Sequence, residues 1–105
     1  KIEEAIKMLE IAYEAESEDP YIIDSIGWAY YLISDYYKAE NFLKRAVELM
    51  PDDPIVNDHY GDILWRLDKK IQARYFWGNV LKMDDADNDM IKNINIKIVE
   101  GLKKS

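Results

Sequence analysis

Apolar side chains recur along this chain mainly at spacings of three and four residues. Ile2, Ala5, Ile6, Leu9 and Ala12 form the first such stripe, and Ile91, Ile94 and Ile98 form one of the last. That spacing places side chains on one side of an α-helix, so the pattern predicts helices and no strand. Polar and proline-containing breaks divide the stripes into six. The first helix is expected from about Lys1 to Glu16, ending at Ser17-Glu18-Asp19-Pro20. Asp19 is a suitable N-cap, and Pro20 in the first turn gives up only an N–H that no helical carbonyl would accept. The second helix runs to about Ile33, and Ser34-Asp35 turns the chain into a third that ends near Met50. Asp53-Pro54 repeats the cap-and-proline start for a fourth helix ending near Leu67. Asp68-Lys69 turns into a fifth, expected to reach about Met83. A sixth follows from about Asn88 to Lys103.

The breaks repeat because the whole pattern does. Gly27 and Gly61 lie 34 residues apart, and the same offset relates Pro20 to Pro54, Asp24 to Asp58, Ala39 to Ala73 and Phe42 to Phe76. A period of this length signals stacked helical units. One unit reads Ile23, Ile26-Gly27, Tyr30, Ala39, Leu43 and Pro51. The next reads Asn57, Tyr60-Gly61, Leu64, Ala73, Trp77 and Asp85. These positions resemble the tetratricopeptide repeat, with departures at Asn57 and Asp85. The resemblance implies an all-α, right-handed α-α superhelix of helix–turn–helix repeats covering the whole chain. Its parts would be the second helix of a repeat (1–19), two whole repeats (20–53 and 54–87) and a capping helix (88–105). Gly27 should face Ala39, and Gly61 should face Ala73, where the paired helices cross closely. Asn95 takes the equivalent place in the last helix, which has no following helix to approach. The phrases around Asp24-Ser25-Ile26-Gly27-Trp28 and Asn57 to Asp62 also look like C-terminal repeats of long bacterial proteins of this family.

Composition narrows the function. The chain has 105 residues, a net charge of −7 and no cysteine. Nucleic acid is a poor partner for such an acidic chain, since its phosphates need clustered Lys and Arg. No apolar run approaches eighteen residues, so membrane insertion is not expected. Lys1 opens the chain without a Met or a signal-peptide pattern, which we read as a piece of a longer protein. The compartment, cytoplasmic or bacterial periplasmic, stays open.

In the family, the first helix of each repeat lines a concave groove for a peptide or partner segment. Carried over by position, the groove residues are Asp24, Trp28, Tyr31 and Leu32, then Asp58, Asp62, Trp65 and Arg66, with Lys92, Ile96 and Val99 from the last helix. Trp28, Tyr31 and Trp65 would anchor a partner or else pack on a neighbouring helix. Asp24, Asp58 and Asp62 would favour basic groups. One subclass of the family grips the acidic C-terminal tails of chaperones with Lys and Asn. The matching positions here hold Asp24, Trp28, His59, Asp89 and Asn93, which argues against such a tail.

Chemistry finds little foothold. Asp58, His59 and Asp62 share a helical turn, yet two acids and one His on a polar face read better as solvated than as a metal site. Asp85, Asp87 and Asp89 imitate the start of a calcium loop, but Met90 replaces its glycine and Ile96 its closing acid. His59 is the single His, and no nucleophile motif surrounds Ser25 or Ser34. No enzyme, cofactor or metal is expected. The sequence therefore points to a protein–protein interaction scaffold or adaptor. The alternatives are a structural end of a longer array and a regulatory module of a larger enzyme. Ile6 and Tyr13 at the edge of the first helix's unpartnered apolar surface, and Ile96 and Val99 off the stripe of the last, predict a concentration-dependent homodimer through an exposed terminal helix, preferably the first.

Overall fold

A computed structural model describes residues Lys1–Lys104. It contains α1 (Ile2–Ala15), α2 (Pro20–Leu32), α3 (Tyr36–Leu49), α4 (Pro54–Arg66), α5 (Lys70–Val80) and α6 (Asn88–Glu100), with no strand among the described residues. The starts of α2, α4 and α6 are set by carboxylates. Asp19 accepts from the N–H of Tyr21, Asp53 from that of Val56 and Asp87 from that of Met90, at 2.8–3.0 Å. Each satisfies a backbone donor that the first helical turn leaves unpaired. Within each pair the turn is made by a left-handed residue, Ser34 (φ 66) and Asp68 (φ 62), again 34 positions apart.

Two helix ends differ from the sequence expectation. α5 stops at Val80 and not near Met83, because the N–H groups of Leu81, Lys82 and Met83 each bond the carbonyl three residues back, tightening the chain out of the α-helix. α6 stops at Glu100 and not at Lys103, because Gly101 takes a φ of 72, which only a residue without a side chain adopts readily.

α2 packs on α3 and α4 on α5, and the pairs are joined through α3 and α4, with α1 on α2 and α6 on α5. The core threads all six helices through Ile6, Ile23, Ile26, Leu43, Ile63, Leu64, Trp77 and Ile94. Both interior glycines are needed for close approach, but the partner differs from expectation. A Cβ on Gly27 would strike Leu43 Cδ2 and sit 2.9 Å from Phe42 Cβ, with the Ala39 carbonyl oxygen at 3.5 Å. A Cβ on Gly61 would strike the indole of Trp77; Ala73 is not among its nearest neighbours. The glycine thus makes room for the large side chain sixteen residues on. Asn57, which stands where the repeat pattern has a bulky residue, is fully buried. Its side-chain amide donates to the carbonyls of Pro51 and Asp53 at 3.0 and 2.9 Å, pinning the loop before α4.

At α1, Ile6 is buried in the core and does not lie at an exposed edge as expected; Ile2, Met8 and Ile11 are the exposed large apolar residues there. Facing α1, the Tyr30 hydroxyl donates to Glu10 Oε2 at 2.5 Å. That bond, with burial and the charges of Glu10 and Asp35, pushes the phenol up from 10.0 to about 12. An unfolded tyrosine ionises near pH 10 while folded Tyr30 keeps its proton, so its stabilisation is complete below pH 10 and is lost as pH rises through about 12. Thermal melts across that alkaline window should therefore fall more steeply for the wild type than for Tyr30→Phe. Equal slopes would contradict the assigned bond.

Candidate functional site

The first helices of the successive pairs, α2, α4 and α6, lie side by side and present one common face. Three side-chain contacts cross between them at the same offset. His59 Nδ1 lies 3.0 Å from Asp24 Oδ1, Arg66 Nε donates to the Tyr31 hydroxyl at 3.3 Å, and Lys97 Nζ donates to Asp62 Oδ1 at 2.9 Å. Each pair is separated by 35 residues, one repeat plus one position. Stacking helices at a 34-residue period brings position i of one first helix against position i + 35 of the next. The face is therefore a ladder of cross-helix contacts.

At the α2–α4 step the ladder is aromatic. Trp28 lies nearly parallel to His59 at 3.9 Å between ring centroids and to Tyr31 at 4.4 Å, and Tyr31 continues to Tyr36 at 5.5 Å. Trp28, Tyr31 and His59 are each partly exposed. Burial, opposed by the bond from Arg66, raises the Tyr31 phenol above its usual range. The result is a shelf of rings held in place before any partner arrives, so little side-chain freedom would be lost on binding.

At the α4–α6 step the ladder is ionic. Lys97 Nζ reaches Asp58 Oδ1 at 2.7 Å as well as Asp62, and Trp77 Nε1 donates to Asp62 Oδ1 at 3.1 Å. Burial and the charge of Asp58 raise the Asp62 carboxyl above the ordinary carboxylate range, although Lys97 and Trp77 pull the other way. Burial lowers the Lys97 ammonium, but the two carboxylates outweigh it and its pKa rises. Burial thus dominates at Asp62, and the two acids dominate at Lys97.

The residues expected at a groove thus fall into two sets. Asp24, Trp28, Tyr31, Asp58 and Arg66 keep part of their surface on the shared face. Asp62 is only 7% exposed and spends its carboxylate on Lys97 and Trp77. Trp65 is partly buried: it stacks on Trp77 at 5.6 Å, Arg74 and Lys70 lie over its ring, and a Cβ on Gly101 would strike it. It seats the end of α6, which Arg74 also holds by donating to the Ile98 carbonyl at 2.9 Å. Asp58, His59 and Asp62 do not converge as a metal would require, since His59 turns to Asp24 and both acids turn to Lys97. Sequence reasoning overlooked His59 as the partner of Asp24 and Trp28, and Lys97 as the cross-helix cation. The offset of 35 would have found both.

No protein-family model matches the chain. Among curated proteins, protein bimA of Emericella nidulans is 25% identical over 84 residues, covering 80% of this chain. The chain spans about a tenth of that relative's length. Among solved structures, the first TPR of Spaghetti (RPAP3) bound to the HSP90 peptide SRMEEVD superposes with a TM-score of 0.81 and 20% identity, over 94% of this chain and 78% of that one. The chain therefore has the tetratricopeptide-repeat fold, an all-helical α-α superhelix. The comparisons carry that fold and not the narrower likeness to bacterial proteins.

Proposed function

We propose that the α2–α4–α6 face is a recognition surface for a protein segment, and that the chain acts as an interaction scaffold. The pre-stacked rings of Trp28, Tyr31 and His59 carry this reading, since large rigid aromatics supply much of the energy at binding hot spots. The solved neighbour with a peptide bound supports the same use of the fold. Asp24 and Asp58, part-exposed beside His59 and Lys97, together with the net charge of −7, favour a segment with basic and aromatic groups. The same charges would repel a carboxylate within a Debye length of roughly 8 Å at physiological salt, so an acidic C-terminal tail is not the expected occupant of this face. Calorimetry with SRWKKVK amide, in which Lys replaces the acids of SRMEEVD and Trp its Met, should show weak, saturable binding. Trp28→Ala should weaken it about tenfold, which corresponds to about 1.4 kcal/mol. Unchanged affinity in Trp28→Ala would remove the shelf from the account.

The second reading is a structural end of a longer array, and Trp65 favours it, since its ring is occupied in seating α6. It predicts no saturable heat with either peptide charge. Self-association through α1 is a further proposal, resting on exposed Met8 and Ile11.

A further inference from the structure

α1, α2 and α3 enclose a crevice that takes no part in the shared face. Tyr13, Ile23, Tyr30 and Phe42 give it an apolar lining. Tyr13 meets Phe42 edge-on at 5.3 Å between centroids, and Phe42 lies nearly parallel to Tyr30 at 5.8 Å. Lys38 and Arg45 stand along the α3 edge with Asn41 between them, a spacing that keeps all three on one side of the helix.

The fold does not require these cations. At the equivalent places in the next pair stand Gln72, Tyr75 and Asn79, although Phe76 repeats Phe42. Lys38 has no carboxylate in ion-pair distance among the described residues; its ammonium lies 5.1 Å from the Tyr30 ring centre. Arg45 pairs with Glu18 at 2.7 Å and Glu48 at 3.4 Å, but all three side chains are about half exposed or more. Such surface pairs contribute little, so an arriving carboxylate can exchange for them. Glu10, on the α1 side, is engaged by the Tyr30 hydroxyl.

We propose that this crevice binds a second peptide segment, one presenting an aromatic or branched apolar side chain beside a carboxylate. The apolar group would rest against the Tyr13 and Phe42 rings, and the carboxylate would take Lys38 and then Arg45. This chemistry is opposite to that of the α2–α4–α6 face, and the two sites are separable by experiment. The probes are Ac-Phe-Glu-Glu-NH2 and Ac-Phe-Lys-Lys-NH2, titrated into isotope-labelled protein. The Glu peptide should move the Asn41 side-chain amide and the Tyr13 and Phe42 rings saturably, and the Lys peptide should not. Lys38→Glu with Arg45→Glu should weaken the Glu peptide at least about tenfold, while Trp28→Ala leaves it unchanged. Both cations are exposed, so the fold should survive, and circular dichroism checks this. Should the double variant fail to fold, Lys38→Gln alone should weaken binding in the same direction. No shift at the three reporters, equal response to both peptides, or unchanged binding in the folded charge variants would overturn the site. A failure here leaves the aromatic face untouched, because its reporters are Trp28 and His59.

Discussion

Gly61→Leu should lower the stability of the domain by about 3 kcal/mol, the upper part of what overpacking a core usually costs. Even the Cβ of the new residue would lie inside the Trp77 indole, which is completely buried and cannot swing aside. The indole is also tethered through Nε1 to Asp62, so displacing it disturbs the ionic step of the ladder. For a domain of about this size, 3 kcal/mol corresponds to a fall in Tm of roughly 12–24 °C. Asn95→Leu, on an exposed position of α6 that holds the register of Gly61, should change stability by no more than about 0.5 kcal/mol. Thermal melts showing equal losses would contradict both the packing and the repeat alignment.

Lys97→Met should cost about 3 kcal/mol, the lower end of the range for breaking a buried pair, because part of the pair still touches water. The variant leaves Asp58 and Asp62 facing each other without the cation they share. Adding Asp62→Asn should restore part of the loss, since an amide needs no counter-charge while still accepting from Trp77. A double-mutant cycle in denaturant measures this coupling. The pH dependence has a definite sign. Lys97 has a raised pKa in the fold, so its contribution is complete below the ordinary lysine value and is lost as pH rises through the raised one. The difference between wild type and Lys97→Met should therefore shrink in strong alkali. A constant difference would mean that the methionine is destabilising for packing reasons alone.

The helix starts were legible because Asp19-Pro20 and Asp53-Pro54 act locally, through a cap and a fixed φ. The ends of α5 and α6 were less so. One depends on how the chain tightens over three backbone bonds, the other on Gly101 adopting a left-handed φ beneath Trp65. Periodicity picked out the face that carries Asp24, Trp28, Tyr31, Asp58 and Arg66. It could not tell which neighbours those side chains find, since that depends on the one-residue shift between stacked helices. Asp62 and Trp65 show the consequence. Asp62 stands one period after Trp28 and Trp65 one period after Tyr31, yet Lys97, Trp77 and Gly101 arrive from later in the chain to cover them. Asn57 shows the reverse case, a polar residue at a core position made tolerable by two loop carbonyls.

Recognition by the aromatic shelf is tested most directly by an NMR titration that reads the Trp28 indole N–H and the His59 ring while peptide is added. With SRWKKVK amide, both signals should move together and saturate, with smaller shifts at Asp24 and Arg66. With SRMEEVD, both should stay still, whatever happens at Asn41. Movement of Trp28 and His59 with the acidic peptide, or no movement with the basic one, would contradict the account.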